Sequence, residues 1–77
     1  MTKDPSFGQR LVQARERRDM SAMSLASRAG INATQISHYE RDQREPSASN
    51  IRQLALALDI TSDYLLGLTN DTRRIVP

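Results

Sequence analysis

No cysteine occurs among the 77 residues, which excludes a disulfide framework and a thiolate metal site and points to a reducing, intracellular compartment. No apolar run approaches the roughly 18 residues of a membrane span. The charged opening Lys3-Asp4-Pro5 is not a signal-peptide h-region, so a soluble, cytoplasmic chain is expected. Histidine occurs once, and a lone imidazole without a Cys or a pair of Asp beside it is no metal site. A glycine-rich phosphate loop is missing, as are carboxylates clustered outside capping positions. No enzymatic activity, small-molecule substrate, metal or cofactor is therefore expected. Strand-like alternation, internal repeats and low-complexity stretches are also absent, which leaves an all-α reading unopposed.

The length suits one small domain whose core contributes little net stability without close helix packing or a partner subunit. Charge is unevenly spread. Up to Arg44, eight Lys and Arg oppose five Asp and Glu, giving +3. From Glu45 to Asp71, Arg52 alone opposes Glu45, Asp59, Asp63 and Asp71, giving −3, and Arg73 with Arg74 makes the tail +2. A basic end of this kind steers a polyanion; the plainer reading is a mixed, solvated surface.

Caps and periodicity predict five helices. Asp4 or Ser6 caps helix 1, with Pro5 suited to its first turn. Phe7, Leu11, Ala14 and Arg18 share one of its faces. Ser21 caps helix 2, which runs to about Ala29, and Asn32 caps helix 3, which runs to Glu40 or Arg41. Pro46-Ser47 opens helix 4, with Ile51, Leu54, Ala55 and Leu58 as its apolar stripe. Thr61 caps a short helix 5 that Gly67 ends. Met20 and Leu25, Ile31 and Ile36, and Ile60 and Leu65 each bracket a cap as a hydrophobic staple, which fixes the entry angle of a helix.

Within this frame Ala26, Gly30 and Ile36 carry a further meaning. Ala26 is small enough for another helix to cross closely. Gly30 suits the left-handed turn that stops helix 2. Ile36 anchors helix 3. Helices 2 and 3 then make a helix-turn-helix, whose usual work is to lay its second helix in the DNA major groove. With Ile36 inward, Ala33, Tyr39 and Glu40 fall within about 60° of the core direction. Thr34, Ser37, His38 and Arg41 face outward, with Gln35 on one flank. That face is polar and nearly free of acid, and its residue types suit base edges.

Asn32, Arg41, Gln43 and Arg44 are candidates for phosphate contacts, Arg44 foremost because Asp42 and Glu45 oppose the others. Backbone amides at the starts of helices 2 and 4 are further candidates. Arg15 and Glu40 follow Leu11 and Ile36 by four residues and lean inward, so a partly buried ion pair is expected to tie helix 1 to helix 3. The alternative is two solvated charges.

FGQRL in helix 1, LASRAGI through the turn, ISHYER closing helix 3, EPS opening helix 4 and LALALDITSDYLLG to the end occur in order between Phe7 and Gly67. Through these segments the chain resembles the lambda-type phage repressors and Cro proteins, the Xre-like family. The resemblance implies a compact five-helix lambda-repressor-like domain over 1–67 and sequence-specific operator binding to double-stranded DNA as a homodimer on a palindromic site; residues 68–77 carry no clear period, so a flexible or partner-dependent tail is expected there. By position, Ala33, Thr34 and His38 fall where the family reads bases, with Gln35 and Ser37 nearby. Arg15 and Glu40 fall on a pair that is ionic in repressor members, and Leu65, Leu66 and Leu68 on the dimer contact.

Ala22 departs from the pattern, standing where many members carry a Gln that touches phosphate. Met23 and Ser24 stand where acidic residues are common. Ala33 offers only a methyl group, so dimerisation carries more weight. The leading expectation is a transcriptional regulator, most simply a repressor. An antitoxin-like or adaptor module docking a protein through the apolar C-terminal residues is a second reading, and a fragment of a longer repressor is a third.

Overall fold

The computed structural model describes residues 4–69, and these hold five α-helices and no strand. They are α1 Phe7–Arg17, α2 Ala22–Ala29, α3 Ala33–Glu40, α4 Ala48–Leu58 and α5 Ser62–Leu65. Expectations that fall on residues 1–3 and 70–77 lie outside the described residues.

Each helix begins at a side chain that accepts an orphan backbone N–H: Ser6 from Gln9, Ser21 from Ser24, Asn32 from Thr34, Ser47 from Asn50 and Thr61 from Tyr64. At α1 the bond is reciprocal, because the Ser6 N–H donates to Gln9 Oε1 at 2.9 Å, completing a capping box. Ser6 rather than Asp4 is the cap, which leaves Pro5 just outside the helix.

The helix ends repeat one device. Asp19, Gly30, Asp42, Asp59 and Gly67 all have positive φ, between 54° and 81°. The next N–H reaches back five residues in every case: Met20 to Arg15, Ile31 to Ala26, Gln43 to His38, Ile60 to Ala55 and Leu68 to Asp63. This is the Schellman closure, which satisfies helix-end carbonyls. Glycine adopts the conformation freely, and Asp is among the few other residues that tolerate it. In three turns the residue after the left-handed one also precedes the next cap. Asp19-Met20-Ser21, Gly30-Ile31-Asn32 and Asp59-Ile60-Thr61 are therefore variants of one connector, each closing one helix and setting an apolar residue before the cap of the next.

The core is a single cluster. Leu11, Leu25, Ile36, Leu54, Leu58 and Leu65 are completely buried within it, each contributing about 1.5–3 kcal/mol. α1 packs on α3 and α5, α2 on α3 and α4, and α4 on α5. Helices α1 and α3 cross closely at Gly8, where a Cβ would lie 2.5 Å from the carbonyl oxygen of Glu40 and 2.6 Å from that of Tyr39. Arg10 is buried, stacks over the Tyr64 ring at 5.1 Å and donates from Nη1 to the carbonyls of Tyr64 and Thr69, each at 3.3 Å. Hydrogen bonding of the domain thus runs through Thr69, past the boundary expected at Gly67.

Three side chains sit differently from expectation. Leu65 is fully buried in its own domain's core, in the same cluster as Ile60, and has no surface to offer a second subunit. Ala33 is exposed rather than inward, since it opens α3 at the rim of the core. Arg18 lies beyond the last residue of α1 and is exposed, with Nη2 3.4 Å from Asp59 Oδ2.

Candidate nucleic-acid interface

Ile36 and Tyr39 fasten α3 to the core, and Tyr39 accepts a hydrogen bond at its hydroxyl from Asn50 Nδ2 of α4 at 2.8 Å. The inner edge of α3 is fixed by charge. Arg15 Nε donates to Glu40 Oε2 at 2.7 Å and Nη2 to Oε1 at 3.3 Å, a two-pronged pair, while Nη1 donates to the Met20 carbonyl at 3.0 Å. Both side chains are mostly covered, at 17% and 13% exposure. The guanidinium fork therefore joins α1, α3 and the connector into α2.

Opposite these anchors, Ala33 and Thr34 are exposed, and Gln35, Ser37 and His38 are half-buried. All five candidate base-reading residues lie on this one short helix. Asn32 is exposed but its Oδ1 is engaged by the Thr34 N–H at 2.7 Å, so only its amide NH2 remains for an outside acceptor. Arg41, Gln43 and Arg44 are exposed in the segment that follows.

The acidic neighbour of that segment is directed elsewhere. Asp42 accepts hydrogen bonds from the Ser6 hydroxyl and from the Gly8 N–H, the latter at 2.9 Å. Its carboxylate thus sits at the N-terminus of α1, where the positive end of the helix dipole offsets its charge. Among Asn32, Arg41, Gln43 and Arg44, Gln43 is not free. Its Oε1 lies 3.0 Å from His38 Nδ1, a contact with no sequence signal beyond the spacing. Gly8, Arg10 and Asp42 also escaped sequence reasoning, because each owes its place to a partner more than 30 residues away.

No group of His, Cys, Asp and Glu able to hold a metal occurs among the described residues, and none of their helices is long and apolar enough to cross a membrane.

A helix-turn-helix domain family model matches residues 8–71. The HTH-type transcriptional regulator ImmR of Bacillus subtilis (strain 168) is 34% identical over 62 residues, covering 80% of this chain and 49% of the relative. The chain spans about half the length of the curated relatives it matches. Among solved structures, the restriction-modification controller protein C.AhdI from Aeromonas hydrophila is 40% identical with a TM-score of 0.76, covering 78% of this chain and 91% of its own. The P22 c2 repressor, crystallised with a synthetic operator, is 30% identical with a TM-score of 0.78, covering 82% and 96%.

Proposed function

The chain belongs to the helix-turn-helix domain family, among the lambda-type repressors, and we propose that it regulates transcription by reading double-stranded DNA with α3 in the major groove. The observation that carries this reading is the outer surface of α3. Ala33, Thr34, Gln35, Ser37 and His38 form a polar, acid-free strip on a helix held from behind by Ile36, Tyr39 and the Arg15–Glu40 pair. A groove reader needs rigid presentation of a few short side chains. Arg41 and Arg44 flank the strip and suit phosphates, which position the protein without reading sequence. Occlusion of a promoter is the simplest outcome, and similarity to bacterial and phage regulators supports the cytoplasm as its place of action.

A homodimer on a palindromic operator completes the proposal. Leu66 is 51% and Leu68 72% exposed. Leu66 also lines a shallow apolar depression with Phe7, Glu45, Pro46 and Ile51. These residues offer an apolar surface for a second copy at the end of the domain that the buried Leu65 does not. Binding to duplex DNA of random sequence, followed against salt, tests the reading. Log K is expected to fall with log salt at about −0.9 per phosphate contacted. Negligible, salt-independent binding refutes it and favours the same apolar surface as the seat of a different protein.

A further inference from the structure

The geometry points to Gln43 as a positioning residue that sets which base His38 reads, rather than as a phosphate contact; this rests on the regulator reading above. The two residues are tied twice. The Gln43 N–H donates to the His38 carbonyl at 2.9 Å, closing α3, and His38 Nδ1 lies 3.0 Å from Gln43 Oε1, a carbonyl oxygen that can only accept and so pairs with the Nδ1–H tautomer.

The residue pair that faces across a Schellman closure is ordinarily apolar. Ile31 with Ala26 and Ile60 with Ala55 obey this, and all four are buried, whereas Met20 with Arg15, Leu68 with Asp63 and Gln43 with His38 do not. After α3 the connector is longer: six residues, 42–47, separate Arg41 from the first residue of α4. Gln43 is thereby released from stapling the next helix, stands exposed, and meets the ring of a residue on the outer face of α3. Asp42 makes that return possible. Its φ of 57° turns the chain back, and its carboxylate is anchored on Ser6 and Gly8 of the α1 terminus. Gln43 is therefore held from the scaffold side.

The chemical consequence is a bias toward one tautomer. A proton held on Nδ1 by Gln43 Oε1 leaves Nε2 of the neutral ring as an acceptor. In the major groove an acceptor pairs with the amino group of adenine N6 or cytosine N4, and not with guanine N7 or O6, which are themselves acceptors. Removing Gln43 frees the ring to rotate and to exchange tautomers, so that Nε2 becomes donor or acceptor according to the base it meets.

The test is selection from a randomised duplex pool with the full chain as wild type, His38→Ala, Gln43→Ala and the double variant. Nitrogen-15 imidazole spectra of the free protein are recorded alongside. Support consists of Nδ1-protonated His38 in the wild type and a preference for adenine or cytosine at one position of each half-site. That preference should be at least about fivefold, the low end of what one mismatched pair costs. It should be lost in Gln43→Ala as in His38→Ala, with no further loss in the double variant and unchanged selection elsewhere.

Uniformly weaker binding by Gln43→Ala with a salt slope shallower by about 0.9 would mark a phosphate contact and overturn the proposal while the regulator reading stands. An unchanged selection profile in Gln43→Ala, or guanine selected at the His38 position, also overturns it alone. A wild type that selects no sequence overturns both.

Discussion

Replacing Arg15 by alanine tests the mounting of α3 more sharply than any other single change. The guanidinium makes two bonds to Glu40 and one to the Met20 carbonyl. Its loss leaves without a partner a Glu40 carboxylate that is only 13% exposed in the intact pair. Breaking a fully buried pair costs about 3–5 kcal/mol; because both groups retain some contact with water, about 2–3 kcal/mol is expected here. For a domain of this size that is a fall in Tm of roughly 10–20 °C, at 4–8 °C per kcal/mol. Glu40→Ala should cost less, because Arg15 keeps the Met20 carbonyl and an arginine tip reaches water more readily than a short carboxylate. Arg15→Met with Glu40→Leu should recover much of the loss, since well-packed apolar pairs replace buried ionic ones at little cost.

The Arg18–Asp59 pair, 47% and 58% exposed, supplies the internal control. Arg18→Ala should cost under about 1 kcal/mol. Urea or thermal denaturation followed by far-ultraviolet circular dichroism measures all four variants. If Arg15→Ala costs no more than Arg18→Ala, the pair is not what fastens α3 to α1.

Gly8→Ala would gain about 1 kcal/mol of helix propensity. It would also set a methyl group 2.5–2.6 Å from two backbone carbonyls that cannot give way separately. Overpacking of this kind costs about 1–3 kcal/mol or more, so net destabilisation and weaker DNA binding are expected, and a stabilised variant would refute the close crossing. Gly30→Ala meets nothing within 4 Å; calorimetry should still find a loss of about 1–2 kcal/mol, from the left-handed backbone alone. Leu65→Ala should cost about 2–5 kcal/mol as a core truncation. Leu68→Glu should instead leave the melting of the monomer almost unchanged and abolish dimers in sedimentation, and the reverse pattern would place Leu65 at the interface after all. Arg44→Ala should weaken all DNA sequences alike and make the salt slope shallower by about 0.9.

Where the fold was legible, the signal was local. Ser21, Asn32 and Thr61 announce helix starts because a short polar side chain before an apolar run has one easy use, to accept an orphan N–H. The three staples follow from the same few residues. The left-handed positions of Asp19, Asp42 and Asp59 were equally local and still escaped, because an aspartate reads first as a charge and only second as a residue that tolerates positive φ. The triplets DMS, GIN and DIT would have exposed the shared connector had Asp and Gly been treated as equivalents.

Leu65 shows two signals in conflict. Its position by family resemblance put it at a dimer contact, while the Ile60 staple required it to face inward, and the local physics prevailed. Gly8 and Arg10 were not legible. One owes its identity to carbonyls of α3 crossing overhead, the other to an aromatic ring and carbonyls at the far end of the domain, and neither leaves a trace in nearby periodicity. At the candidate interface the exposed Thr34 and the half-buried Ser37 and His38 lie on the side that phasing on Ile36 predicts, while Ala33, phased inward, is exposed. The diversion of Asp42 to α1 and of Gln43 to His38 depends on the path of the chain after the helix ends, which no helical wheel describes.

The central claim is that α3 reads sequence in the major groove, presented twice by a symmetric dimer. Selection of binding sites by the wild-type chain from a random duplex pool tests it most directly. Enrichment of two half-sites related by a two-fold axis, with centres about 34 Å or 10–10.5 base pairs apart, is the predicted result. A pool that remains random, or a single unpaired site, would contradict it.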